Sequence, residues 1–534
     1  MNPLASTKCA GRLLVAFAAI SSILFAAGCG GSSTTVVPPP GGSFSNSSLN
    51  GTYVISISGT DANVSQNTSS FFAIVGTITA DGGGNITGGT VDINDPNIGG
   101  VFTGQALSTS TYSIGKDGRG TGSLKTAEGT FGLDFVLTTT SHGLITRFDS
   151  SGSGSGTIDA QGSATQASLS ALAFSLTGTD ATSQFAVGSV GGLTLDGSGT
   201  ITAGTQDFNE NGSSANLTDL ALTGSVVLNS GSTTAGTATL TTGSAFGSLG
   251  FDFWVVDSTH LKLIETDSGA VLAGDAFTQQ TSIPAGTLAY TLGGFDSGGG
   301  PFVAGGLLSV SGTTLTGIED FNDAGNTGSE PNVTGPCVLT AGRCALSLSG
   351  FSNGSLNNFI FAAYPSSGGI QLLEIDSLGL TQGAAYTQSA TSFAASEGYG
   401  FNLSGTNGNE VDDIAQFNAL GATVSPNMTG ILDENDLTAP LNPVTLSGTY
   451  TPDSPVDGRG SISVPNINTS IGTLNLEYYV VDGSTVVFVE GDSNQVALGT
   501  FELQSPPTQG AAAVQSHMSM MRPVARSHAA LRRK

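Results

Sequence analysis

Oxygen-bearing side chains recur in this chain at spacings that could hold a cation. Asp207-Phe-Asn209-Glu-Asn211-Gly212 places oxygen ligands at alternate positions ahead of a glycine, as the opening of a calcium loop does. Asp207, Asn209 and Asn211 are therefore the candidate metal ligands, and calcium is the candidate ion. The bidentate glutamate that closes an EF-hand loop is missing. Asp and Asn also favour strand ends and turns, where their side chains bond local backbone, and the turn reading is preferred. A second pattern, Glu-x-Asp, occurs at Glu265-Thr-Asp267, Glu374-Ile-Asp376 and Glu490-Gly-Asp492, with Arg147-Phe-Asp149 as a degenerate copy. Paired carboxylates can hydrolyse a glycosidic bond, but an active site rarely occurs three times in one chain. Gly350-Phe-Ser352-Asn-Gly354 matches a Gly-x-Ser-x-Gly nucleophile pattern. It lies in a β-patterned stretch with only His517 and His528 beyond it, so it is read as chance. The four histidines have no zinc or triad spacing. No catalytic residue is assigned, and an enzyme is not expected.

These patterns belong to a larger repeat. A Thr-(x)-Gly-x-x-Asp-x-Asn-acid element occurs around Asp92, Asp207, Asp320 and Asp433, at intervals of 115, 113 and 113 residues. The Glu-x-Asp element follows each in register, and each repeat closes on a glutamine: Gln161, Gln279, Gln388 and Gln504. Three features returning in one order establish a fourfold duplication. Within a repeat, apolar residues alternate with polar ones, as in Tyr53, Ile55, Ile57 and in Phe131, Leu133, Phe135, Leu137. This period of two marks strands with one buried face. Asp81-Gly82, Asp117-Gly118, Asp196-Gly197 and Asp457-Gly458 mark tight turns between them.

The expected fold class is all-β: four tandem antiparallel meander domains. Up-and-down eight-stranded barrels are favoured because closure removes exposed edges, with β-sandwiches as runner-up. The intervals are 44–161, 165–280, 284–389 and 393–504, joined by polar connectors. Asp134, Asp252, Asn358 and Glu477 are aligned in one apolar strand, on the face that carries Val136, Trp254 and Val481. If that face is the barrel interior, these polar groups need partners or a ligand. A solvent-facing placement is preferred.

Composition supports short strands and many turns. Glycine accounts for 78 of 534 residues and charged residues for 10%. Two of the 14 basic residues lie in the leader and five in the last 13 positions, leaving seven among all 40 acids. The middle of the chain thus carries about −33, which repels phosphate backbones and excludes a nucleic-acid partner. Residues 505–534 end in Arg-Arg-Lys with no periodic pattern and are read as a disordered basic tail, weakly attracted to anionic surfaces.

Lys8 and Arg12 precede an apolar run, Leu13 to Ala27, that suits a signal-peptide core better than a membrane span. Phe25-Ala26-Ala27-Gly28-Cys29 follows, and resembles the lipobox of bacterial lipoproteins. That resemblance implies cleavage after residue 28 and lipidation of Cys29, with 29–43 as a Gly/Ser/Pro tether. Gly30, rather than Asp, after the cysteine implies export to the outer membrane, and three acyl chains would anchor the chain firmly. Beyond these positions, the tandem repeats resemble those of uncharacterised bacterial surface lipoproteins, a likeness that carries no activity. Cys337 and Cys344 flank a Thr340-Ala341-Gly342 turn and are expected to form a disulfide after export.

The expected role is structural, adhesive or binding, at the cell surface, with the membrane and an extracellular glycan or protein as partners. Repeated domains on a tether give reach and multivalency. A small-ligand-binding barrel and a cell-envelope hydrolase are the alternatives.

Overall fold

The computed structural model describes residues 38–39, 42–63, 68–181, 183–211, 217–244, 246–351, 358–421, 423–437, 439–441, 443–465, 467 and 472–507. Cys29, the leader, Ser352, His517, His528 and the basic tail lie outside the described residues.

The alternating pattern folds into four antiparallel sheets, each made from one repeat. In the first, Asn50–Asn63 pairs with Thr68–Asp81 on one side and Gly152–Ala160 on the other. The sheet continues through His142–Asp149, Thr130–Leu137, Arg119–Lys125, Ser110–Ile114 and Asn85–Gly88 back to Thr68–Asp81, so it closes. The fourth sheet closes the same way, through Glu410–Ala419 pairing with Met428–Asp436. In the second and third, the last seam is completed by single bridges, Thr200 with Ser225 and Thr334 with Ser349. These are meander barrels rather than sandwiches. The chain entering a barrel plugs it: Phe44 and Leu49 join the first core, Ala164 and Leu169 the second, and Phe393 packs on the fourth.

Interiors are filled by the inward half of each alternation. Ile55, Ile57, Phe72, Ile74, Phe131 and Phe135 fill the first barrel. Phe174, Phe251 and Phe253 do so in the second, and Tyr399, Phe401, Phe488 and Phe501 in the fourth. Truncating one such side chain to Ala costs about 2–5 kcal/mol.

The outward faces are apolar too, because they meet other barrels. Val54, Ala73 and Val75 of the first barrel pack on Trp254, Val256 and Ile264 of the second. Val190 of the second packs on Tyr364 and Leu373 of the third, and Val303 of the third on Tyr479 and Val487 of the fourth. Ile414 of the fourth packs on Val136 and Leu144 of the first. The four barrels therefore form a closed cycle of contacts. The ends of the cycle also meet: a Cβ built on Gly42 would lie 3.0 Å from Pro506 Cβ, and Pro39 packs on Gly398.

This cycle corrects the expectation for the aligned acids. Asp134, Asp252 and Glu477 lie on the outer strand face, as preferred, but that face looks into a neighbouring barrel, so that Asp134 is only 9% exposed and Asp252 and Glu477 are half-buried. Asn358 is not their equivalent. Register places Tyr364 with Val136 and Trp254, so Ala362 holds the aligned position.

Candidate functional site

The repeated polar residues converge at the four seams between barrels. Each motif asparagine sits on an outward strand face and reaches the last hairpin of the next barrel. Asn94 Nδ2 donates to the carbonyls of Glu265 (3.2 Å) and Ala270 (3.1 Å). Asn209 donates to Glu374 (2.7 Å) and Gly379 (2.8 Å). Asn322 donates to Glu490, Asp492 and Gln495. Asn435 returns to the first barrel, donating to Arg147 (3.1 Å), Asp149 (3.3 Å) and Gly152 (2.8 Å). Three of the four closing glutamines repeat the rule: Gln161 donates to Thr234 O, Gln388 to Asp457 O and Val480 O, and Gln504 to Asp117 O and Leu137 O.

Three of the four motif aspartates take a cation from the next barrel. Arg343 Nε and Nη2 donate to the two oxygens of Asp207 at 2.8 and 2.7 Å, and Tyr364 Oη donates at 2.6 Å. Arg459 holds Asp320 in the same bidentate way at 2.7 Å, with Tyr479 Oη at 2.6 Å and Glu477 at 3.5 Å. Arg119 Nη1 holds Asp433 at 2.6 Å. Each arginine directly follows a turn glycine with positive φ: Gly118 (86°), Gly342 (83°) and Gly458 (104°). Such φ values favour glycine. Bidentate guanidinium–carboxylate pairing is among the stronger charge-assisted contacts.

This geometry places the candidate calcium ligands. Asp207 and Asn209 lie within a strand, not in a turn, and are 0% and 2% exposed. Both Asp207 oxygens are engaged by Arg343, so an ion there would have to displace the guanidinium. Asn211 follows the strand, its N–H bound to Ala186 O at 2.9 Å. Among the described residues, no cluster of three His, Cys, Asp or Glu side chains is placed to hold a metal ion. Cys337 and Cys344 are disulfide-bonded across the turn that presents Arg343.

The Glu-x-Asp pairs divide their labour. The aspartates cap the hairpin: Asp267 accepts from Gly250 and Gly269 N–H, and Asp492 from Asn475 and Asn494 N–H. The glutamates point into the barrel ends. Burial and then Asp267 push Glu265 up to about 9. Burial leads for Glu374 and Glu490, which are raised well above the carboxylate range. In the first repeat Arg147 replaces this glutamate and lies over the Phe72 and Phe131 rings.

A buried charge cluster joins the closing strands. His142 contacts Asp159 at 2.6 Å and Glu502 of the fourth barrel at 3.0 Å. Burial pulls His142 down, but Glu502 and Asp159 outweigh it and raise it to about 10. In the second barrel Asp275 takes both Lys262 (2.7 Å) and His260 (2.6 Å). Tyr386 of the third barrel senses the charges of Asp275 and Glu502, after burial the causes of its raised pKa. Nearby, a cavity of about 580 Å³ is lined by Gln280, Ser367, Tyr386, Asp482 and Thr485 among others.

The seam arginines and the charge cluster escaped the sequence reading. One signal was present: Asp117-Gly-Arg119, Ala341-Gly-Arg343 and Asp457-Gly-Arg459 take three of the seven mid-chain basic residues at corresponding turns.

No protein-family model matches the chain, and no curated protein matches it. Among solved structures, the isotype 1 transferrin binding protein B from serogroup B Neisseria meningitidis aligns at 11% identity. The alignment covers 68% of this chain and 84% of that one, with a TM-score of 0.17. The intact Ap-TbpB, with N and C lobes, aligns at 10% identity over 68% and 83%, with a TM-score of 0.16. At these TM-scores neither alignment carries an argument about this chain.

Proposed function

We propose that this chain is a lipoprotein of the bacterial cell surface, anchored through Cys29, whose four-barrel cycle is a rigid scaffold for binding or adhesion. One observation carries the reading. The barrel interiors are filled by their own side chains, and most mid-chain cations are committed to seams and the buried charge cluster. What remains for partners is the outer surface, where 20 of the 40 acids stay at least partly exposed. Filled interiors weigh against the small-ligand barrel. Carboxylates used as turn caps or enclosed in barrel ends weigh against the hydrolase.

Two measurements test this. Labelled palmitate should enter the wild-type chain and not Cys29→Ala; equal labelling ends the anchor. The Cys29→Ala chain, screened against glycans and envelope proteins, should bind one class saturably. Silence across that screen, with stoichiometric uptake of a small apolar ligand, would favour the barrel-ligand alternative.

A further inference from the structure

Three seams carry an arginine; the seam between the first and second barrels does not. Ala235 pairs with Trp254 in the register in which Arg119 pairs with Val136 and Arg459 with Tyr479, so alanine occupies the arginine position. The acids that would hold the cation are still there. Asp92 is the equivalent of Asp207, Asp320 and Asp433, and is 2% exposed. One of its oxygens accepts from Gly104 N–H at 2.6 Å. The other is buried with no donor from the protein, and its neighbour there is a second carboxyl, Asp252, which helps burial to raise Asp92 to about 7. Asp252 is the equivalent of Glu477, which shares Arg459 with Asp320. The acid–cation–acid arrangement of one seam thus recurs with its two acids in place and its cation missing.

We infer that the seam between the first and second barrels is a binding pocket for a guanidinium group supplied from outside the barrels, held by Asp92 and Asp252 beside the Trp254 indole. A buried carboxylate with a second carboxyl beside it needs a counter-charge or a proton, and the other three seams give their motif aspartate a guanidinium. The equivalent position at the other seams lies near the surface. The arginines of the other seams keep 14–16% of their side chains exposed, and Asp252 is half-buried. Trp254 stands where Tyr364 and Tyr479 meet their aspartates, packed in one cluster with Val75, the cross-strand partner of Asp92. An indole is the best aromatic partner for a cation. The guanidinium can come from a partner's arginine or from the arginines of the chain's own C-terminal segment.

Trp254 is the single tryptophan of the chain, so its fluorescence reads the pocket directly. The full chain is titrated with N-methylguanidinium at concentrations far below denaturing ones, with ethylammonium at equal ionic strength as control. The expected result is a saturable change with methylguanidinium, at least tenfold weaker with ethylammonium. It should be absent in Asp92→Asn and in Ala235→Arg, where the pocket is filled from within. A second arm uses Arg522→Ser, Arg526→Ser, Arg532→Ser and Arg533→Ser together. Tighter binding than wild type identifies the chain's own tail as the occupant, and equal binding excludes it and leaves the pocket to an outside arginine. A linear response, or one unchanged in Asp92→Asn, overturns the inference, even where Ala235→Arg does not fold.

Discussion

Replacing Asn435 with alanine removes one of the amides that tie the fourth barrel to the first, across the seam without a chain connector. Asn435 is fully buried, and its Nδ2 lies within hydrogen-bond distance of three carbonyls at 2.8–3.3 Å. An amide has two hydrogens, so the loss is about two hydrogen bonds, each contributing roughly 0.5–1.5 kcal/mol net. Stranding buried carbonyls adds to the cost. Removing Asn435 Oδ1, itself a buried acceptor without a donor, offsets part of it. The balance is about 2 kcal/mol, or roughly a 30-fold loss in the folding constant. Asn435→Asp should lose more, because it sets a carboxylate against the same carbonyls. The assay is urea unfolding followed in parallel by far-UV circular dichroism and Trp254 fluorescence. Trp254 lies at the seam between the first and second barrels. If the cycle unfolds as one unit, both probes shift together by that amount. An unmoved Trp254 transition beside an earlier loss of β signal would show that the barrels unfold independently and that seam closure contributes little to the whole.

Stability should fall as pH rises from 5.5 to 9. Asp92 is raised to about 7 by burial and Asp252, Glu265 to about 9 by burial and Asp267, and His142 to about 10 by Glu502 and Asp159 against burial. The folded chain therefore binds more protons than the unfolded one across this window, and their contribution is lost as pH passes the folded values. A urea series should show a drop of at least about 1.4 kcal/mol, the weight of one pKa unit on one group; a flat or rising profile would refute it. Alkylation with intact mass should find no free thiol at Cys337 or Cys344, and the double serine variant should lose about 2–3 kcal/mol for a loop this short. Two alkylated thiols in freshly exported chain would contradict the pairing. A circular permutant, joined from Pro507 to Gly42 by a short linker and opened between Ser282 and Ile283, should keep its β signal and cooperative melt. A permutant that collapses would mean that the natural connector, not the seams, holds the second and third barrels together. Residues 165–280 expressed alone should fold into a closed barrel yet expose the Asp207 and Trp254 seams. They should therefore be less stable than in the full chain, and equal stability would show that the seams contribute nothing.

Sequence by itself determined what depends on local chemistry. Alternation at Tyr53, Ile55 and Ile57, with Asp-Gly turns between strands, is enough to give hairpins, because side-chain direction in a strand has a period of two. Fourfold recurrence of the motifs at near-constant intervals gave four such units, and a turn at Thr340-Ala341-Gly342 brought two cysteines together. The face on which Asp134, Asp252 and Glu477 lie was legible as well, but not what covers it. Alternation separates the two faces of a strand without saying whether the outer one meets water or another barrel. That was decided by tertiary structure, which placed Asp207 against Arg343 some 136 residues away and Asn435 against the hairpin of the first barrel. It turned what reads as a turn or calcium motif into a seam fastening. Ala235 shows the limit most clearly. In the sequence it is one alanine among many. Only the register that aligns it with Arg119, Arg343 and Arg459 reveals a missing cation, because burial makes an absent counter-charge matter and burial is a property of the fold.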